Sequence, residues 1–183
     1  GMTPDTTVDA PASLPLPGSS RPLSNSGDCG GTTIPLKQAL VTSCNTAFAG
    51  LGMKLGQDAV RAQASKFGFG SADELPQLGA AKSNFPASLD AAQLAQSSIG
   101  QFDVAATPLQ MAMVGAGIAN DGVVMQPYLV QQVRAADLTV LDNASPKQFS
   151  QAMTAANAKS LQDMMVAVVT DGTGSRAAID GVR

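Results

Sequence analysis

The chain has 183 residues, 44% of them hydrophobic and 14% charged, enough to bury a core as one domain or as two lobes sharing an interface. A net charge of −3, with no basic patch of the kind that neutralises phosphates, argues against nucleic acid as a partner. The absence of histidine removes Ser-His-Asp and Cys-His catalysis and the usual zinc sites; two cysteines and scattered carboxylates make no metal-ligand cluster, so neither metal nor cofactor is expected.

Residues 1–31 read as an extended, loop-rich opening segment. Leu14-Pro15-Leu16-Pro17-Gly18 fixes φ at alternate positions, and Asn25-Ser26-Gly27-Asp28-Cys29-Gly30-Gly31 is turn chemistry. The segment is either a disordered linker or a set of short edge strands lying on a core. No signal-peptide pattern opens the chain, and both ends read as boundaries inside a longer protein.

Residues 32–122 read as a helical lobe. Pro35 suits a first helical turn, where its missing N–H costs nothing, and Leu36, Leu40, Ala47, Phe48 and Leu51 follow near-helical spacing to Gly52 or Gly56. Ser43-Cys44-Asn45 interrupts this run, and Ser43 or Asn45 is placed to cap a second helix there. Asp58 is expected to cap a short helix carrying Val60, Ala64 and Phe67, closed by Gly68; residues 70–89 show no period and read as a long loop. Asp90 caps a helix through Ala95. Thr107-Pro108 opens another that runs to Asn120-Asp121-Gly122, and the uncharged stretch Val104 to Asn120 is too short to span a bilayer.

Residues 123–183 read as short strands, Val123-Val124-Met125 and then Tyr128 to Val133, followed by a last helix. Thr154 caps that helix, with Ala158, Leu161, Met165 and Val168 on one face. The methionines 111, 113, 153, 164 and 165 read as core filler, and Lys37 and Lys54 as solvated helix-face residues. No internal repeat is present.

Without histidine, serine catalysis of acyl transfer runs on lysine, in three elements: S-x-x-K, S-x-N and K-T-G. The first serine attacks a carbonyl with its lysine as proton partner. The second serine passes the proton to the leaving amine, and the asparagine holds the substrate's amide. Ser43-Cys44-Asn45 fits the middle element, and the same three letters also suit a plain helix cap.

The motifs in order are Thr3-Pro4-Asp5-Thr6, Leu36-Lys37-Gln38-Ala39-Leu40, Ser43-Cys44-Asn45-Thr46-Ala47-Phe48, Ser98-Ile99-Gly100-Gln101, Thr107-Pro108-Leu109 and Ile118-Ala119-Asn120-Asp121-Gly122. Met164-Met165 through Val168-Val169 with Gly172-Thr173-Gly174 completes them. Together they resemble, nearly end to end, the transpeptidase domain of penicillin-binding proteins, in the class B form of actinobacteria (the mycobacterial A-type group). No serine is followed by lysine three residues later, and no Lys-Thr-Gly occurs, so the chain looks like a partial transpeptidase domain. The expected fold is mainly α with a few short strands: the helix-rich lobe of the α/β fold shared with serine β-lactamases, its final helix leading to a K-T-G strand that this sequence lacks.

The resemblance implies a parent D,D-transpeptidase that cross-links peptidoglycan stem peptides through an acyl-serine, is inhibited by β-lactams, and lies outside the cytoplasm, anchored in the cytoplasmic membrane by an N-terminal helix. The 183 residues alone are expected to be inactive. Alternatives are a D,D-carboxypeptidase or β-lactam sensor of the same fold, or a non-catalytic cell-envelope binding module. By carry-over Ser43 is the proton-relay serine and Asn45 the substrate-amide ligand, while Gln101 either buttresses the site or is purely structural. The implied compartment preserves disulfides, so a Cys29–Cys44 bridge is expected, with two free thiols as the alternative. The partners implied are stem peptides, β-lactams and the rest of the transpeptidase domain, with self-association through a face left uncovered.

Overall fold

The computed structural model describes residues 1–71 and 81–182; residues 72–80 of the long loop lie outside the described residues. The opening segment forms short strands. β1 (Thr7–Asp9) pairs antiparallel with β4 (Thr33–Pro35), and β2 (Ser13–Leu14) pairs with β3 (Leu23–Ser24). Apolar side chains anchor them: Val8 and Ile34, opposite one another in the register, are both buried, as is Leu16 just beyond β2. Of the two readings of residues 1–31, edge strands on a core is the one observed.

Two helices follow, α1 (Leu36–Val41) and α2 (Asn45–Leu55), separated at Thr42–Cys44. Pro35 is the last residue of β4 and the N-cap of α1. Gly56, at φ 83°, closes α2 and opens α3 (Gln57–Phe67). Asp58 therefore lies inside α3 rather than capping it, and pairs with Arg61 at 2.7 Å. Gly68 ends α3 in the left-handed conformation expected of it.

The other caps follow local chemistry. Asp90 opens α4 (Ala91–Ser97) with a capping box, its carboxylate accepting from the Gln93 N–H while the Gln93 side chain accepts from the Asp90 N–H. Thr107 accepts from the Gln110 N–H at 3.0 Å and, with Pro108 at the first position, opens α5 (Pro108–Ala119). Thr154 does the same for α6 (Ala155–Asp171) through the Asn157 N–H.

Between α5 and α6 lie β5 (Val123–Met125), β6 (Gln132–Arg134), β7 (Val140–Asn143) and β8 (Gln148–Gln151). β5 pairs with β8 and β6 with β7, both antiparallel, so β6–β7 is a hairpin inserted into a wider one. The strand expected over Tyr128 to Val133 is confined to Gln132 onwards, because Tyr128, Leu129 and Val130 pair with no strand among the described residues and are exposed. At the hairpin tip the Asp137 carboxyl is held below the usual carboxylate range by hydrogen bonding from Thr139, side chain first and then backbone.

Among the described residues, three apolar clusters hold these elements. The first joins Val8, Ala10, Cys29, Ile34, Ala39, Cys44 and Ala47, directly beneath the α1–α2 break. The second packs Leu16 against Ala49 and Ala95, where α2 crosses α4 so closely that a Cβ on Gly52 would overlap the Ser98 side chain. The third centres on Met113, Val124 and Ala152. Of the methionines read as core filler, Met113 is buried, but Met111 and Met165 are 55% and 43% exposed, because each faces away from these clusters. Lys37 is exposed as expected, and Lys54 forms a solvated ion pair with Asp9. Among the described residues no helix is long and apolar enough to cross a membrane.

Candidate functional site

The run Leu40 to Ala47 breaks because α1 ends in a tight left-handed turn. The Cys44 N–H donates to the Ala39 carbonyl at 2.8 Å, and the Ser43 N–H to the Leu40 carbonyl at 3.1 Å. This is the Schellman pattern of helix ends, and the residue that donates the shorter-range of the two bonds takes a positive φ. Glycine normally fills that position. Here it is Ser43, at φ 56°. Cys44 and Ala39, the pair that this turn brings together, are both fully buried in the first cluster.

Burial changes at every residue of the turn. Ser43 is exposed, Cys44 is sealed in the core, and Asn45 is half-buried as the first residue of α2. Neither Ser43 nor Asn45 caps α2, contrary to the local reading. The N-cap position belongs to Cys44, whose side chain makes no cap bond because its sulfur is bridged to Cys29, with a Cα–Cα distance of 5.5 Å. Capping comes from a distant loop instead: Asn25 Oδ1 accepts from the Thr46 N–H at 2.9 Å. Asn25 Nδ2 donates to the Pro11 carbonyl and to Thr46 Oγ1, both at 3.1 Å, and the Thr46 hydroxyl donates to that same Pro11 carbonyl at 2.7 Å. Asn45 Nδ2 donates to the Ser24 carbonyl at 3.3 Å.

From the other side, the end of α6 closes on the break. The Thr173 N–H donates to the Val41 carbonyl at 3.2 Å, satisfying a group that the end of α1 leaves open. Gly172 allows this approach, since a Cβ there would lie 2.4 Å from the Val41 oxygen and 2.9 Å from the Val168 oxygen. Both neighbours are backbone atoms and cannot swing aside. Gly172→Ala is expected to destabilise the fold by about 1–3 kcal/mol, as overpacking does, with a matching fall in the denaturant midpoint. An unchanged midpoint would show that α6 does not clamp the break.

Gln101 is not joined to this arrangement. It lies in the turn after α4, where its N–H donates to the Gln96 carbonyl, and its side chain is exposed. Hollows among the described residues include one of about 730 Å³ along α6, bordered by Met165, Val169, Ile179 and Val182, and one of about 300 Å³ between Leu14 and α2. Neither is lined by Ser43 or Asn45. Among the described residues no cluster of three potential metal ligands occurs.

Sequence reasoning passed over two groups. Asn25 was hidden inside a stretch that reads as simple turn chemistry. Gln110, fully buried, donates to the Phe67 carbonyl at 2.7 Å and ties α5 to the end of α3; a glutamine one turn into an apolar helix was the only signal.

The penicillin binding protein transpeptidase domain family matches residues 1–183. The chain is 42% identical over 186 residues to the peptidoglycan D,D-transpeptidase PbpA of Mycolicibacterium smegmatis, covering all of this chain and 38% of that protein. It is 40% identical over 169 residues to PbpA of Mycobacterium tuberculosis, covering 91% of this chain and 34% of that one. Its fold superimposes with a TM-score of 0.91 on penicillin-binding protein A from M. tuberculosis solved as an imipenem acyl-enzyme complex, at 38% identity, over 99% of this chain and 42% of the other. The chain thus spans 34% to 42% of the length of these three relatives, and it belongs to the penicillin-binding protein transpeptidase domain family.

Proposed function

We propose that the 183 residues are one part of a D,D-transpeptidase domain, with the loop-rich segment 1–31, the lobe 32–122 carrying S-x-N, and the strands and helix 123–183 as its pieces. The whole protein would cross-link peptidoglycan stem peptides through an acyl-serine and be blocked by β-lactams. Ser43 passes the proton to the leaving amine; Asn45 holds the amide of the stem peptide or of the β-lactam. The attacking serine with its lysine, and the K-T-G strand, come from parts of the domain outside these residues. A single observation carries the reading: an exposed serine and a neighbouring asparagine leave one strained helix break in a chain 42% identical to a D,D-transpeptidase. The bridged cysteines support a location outside the cytoplasmic membrane, where such bonds persist.

The experiment compares the 183-residue polypeptide with the whole protein. Fluorescent penicillin is expected to label the whole protein, and not the polypeptide, which has no serine followed by lysine at the third position. Stoichiometric labelling of the polypeptide would refute the assignment of roles. A whole protein that takes no label would refute the reaction.

The hollow along α6 exposes Met165, Ile179 and Val182 together. The isolated polypeptide is expected to self-associate through this face, eluting ahead of a monomer of 18.5 kDa in size-exclusion chromatography. A compact, strictly monomeric species would end that idea.

A further inference from the structure

Three consecutive residues at the start of α2 are each held by one short segment of the opening loop. Cys44 is bonded to Cys29, the Asn45 side chain donates to the Ser24 carbonyl, and the Thr46 N–H donates to Asn25 Oδ1. Asn25 is the centre of this grip. Its oxygen takes the helix amide, and its nitrogen spends both hydrogens, one on the Pro11 carbonyl and one on Thr46 Oγ1. Thr46 is almost wholly buried, so these bonds form away from competing water.

From this arrangement we infer that Asn25 is a positioning residue for acyl transfer: it sets the direction in which α2 begins and thereby aims Asn45 and the neighbouring Ser43. The inference rests on the reading of Ser43 and Asn45 given above. Three physical points support it. First, α2 has no cap of its own, because the side chain at its N-cap position is committed to the disulfide. Removing Asn25 leaves a buried helix amide without an acceptor, and the first turn relaxes to find one. Second, Asn45 is the first residue of that turn, so any rotation of the turn moves its carboxamide. Third, Ser24 precedes Asn25 directly, so a shift of Asn25 also withdraws the carbonyl that orients Asn45. Small displacements of a positioning group cost rate steeply, with about 1 Å worth as much as 100-fold.

The test uses the whole penicillin-binding protein that carries this domain, with fluorescent penicillin as the probe and melting temperature measured in parallel. Asn25→Ala is expected to lower the second-order acylation rate constant about 10- to 100-fold. Asn25→Asp keeps an acceptor for the Thr46 N–H but replaces the donor to the Pro11 carbonyl by an oxygen, and is expected to recover part of that rate; it also serves if Asn25→Ala does not fold. Val124→Ala, a cavity in the third cluster away from the break, is expected to lower the melting temperature and leave acylation unchanged. Wild-type acylation by Asn25→Ala, no recovery in Asn25→Asp, or equal slowing by Val124→Ala would each overturn the positioning role. Ser43→Ala separates the two levels of the argument. If it acylates at the wild-type rate, the underlying reading fails; if it is slow while Asn25→Ala is not, only the positioning role fails.

Discussion

Replacing Ser43 is expected to separate activity from stability. In the whole protein, Ser43→Ala should lower β-lactam acylation and peptide transfer by about 10²- to 10⁴-fold, the range over which a positioned proton-transfer group acts. Stability should stay within about 0.5 kcal/mol, because the side chain is exposed and alanine keeps the same backbone constraint. Ser43→Gly sharpens the contrast. A left-handed backbone costs a residue with a Cβ roughly 1–2 kcal/mol, and the greater freedom of glycine in the unfolded chain takes back about 0.5–1 kcal/mol of that relief. The glycine variant should therefore melt at the same temperature as the wild type or slightly higher, while being as inactive as the alanine variant. Acylation rates paired with thermal melts read both quantities. A Ser43→Gly protein that acylates normally would leave the strained serine without a chemical purpose.

Losing the Cys29–Cys44 bridge is expected to be the largest single loss of stability. The two cysteines are 15 residues apart, a loop for which the chain-entropy model gives about 3 kcal/mol. At 2–4 °C per kcal/mol for a domain of this size, the Cys29→Ala, Cys44→Ala double variant should melt roughly 6–12 °C lower. Wild-type protein equilibrated with reductant should fall by a similar amount, and the double variant should not respond to reductant at all. A wild-type melt indifferent to reductant would contradict the bridge. Peptide mapping of the unreduced protein gives an independent check, since it should recover residues 29 and 44 in one linked species.

What the sequence made legible was local. Asp90 with Gln93, Thr107 with Pro108, and Thr154 announce helix starts because capping chemistry acts over three residues. The break at Ser43-Cys44-Asn45 was legible for a related reason: two poor helix formers inside an apolar run invite the chain to turn. Its mechanism was not. The reading expected Ser43 or Asn45 to cap α2, whereas the cap arrives from Asn25, 21 residues earlier, and no local pattern encodes a partner that distant. Asp58 misled in the opposite way, because Gly56 can adopt a backbone that starts α3 two residues sooner. Met165 and Met111 misled because helical spacing tells which residues share a face, and not whether anything covers it. The carry-over of roles to Ser43 and Asn45 came from family resemblance; Gln101, carried over with them, has no bond that reaches the break.

The hydrogen bond between Thr173 and Val41 bears on the order in which this lobe is assembled. A ribosome delivers the S-x-N triplet before the turn after α6, so the Val41 carbonyl has no Thr173 N–H to accept from until that turn has been made. The hydrogen bonding of the break is thereby completed by a residue 132 positions further along the chain, and not by the two helices that flank it.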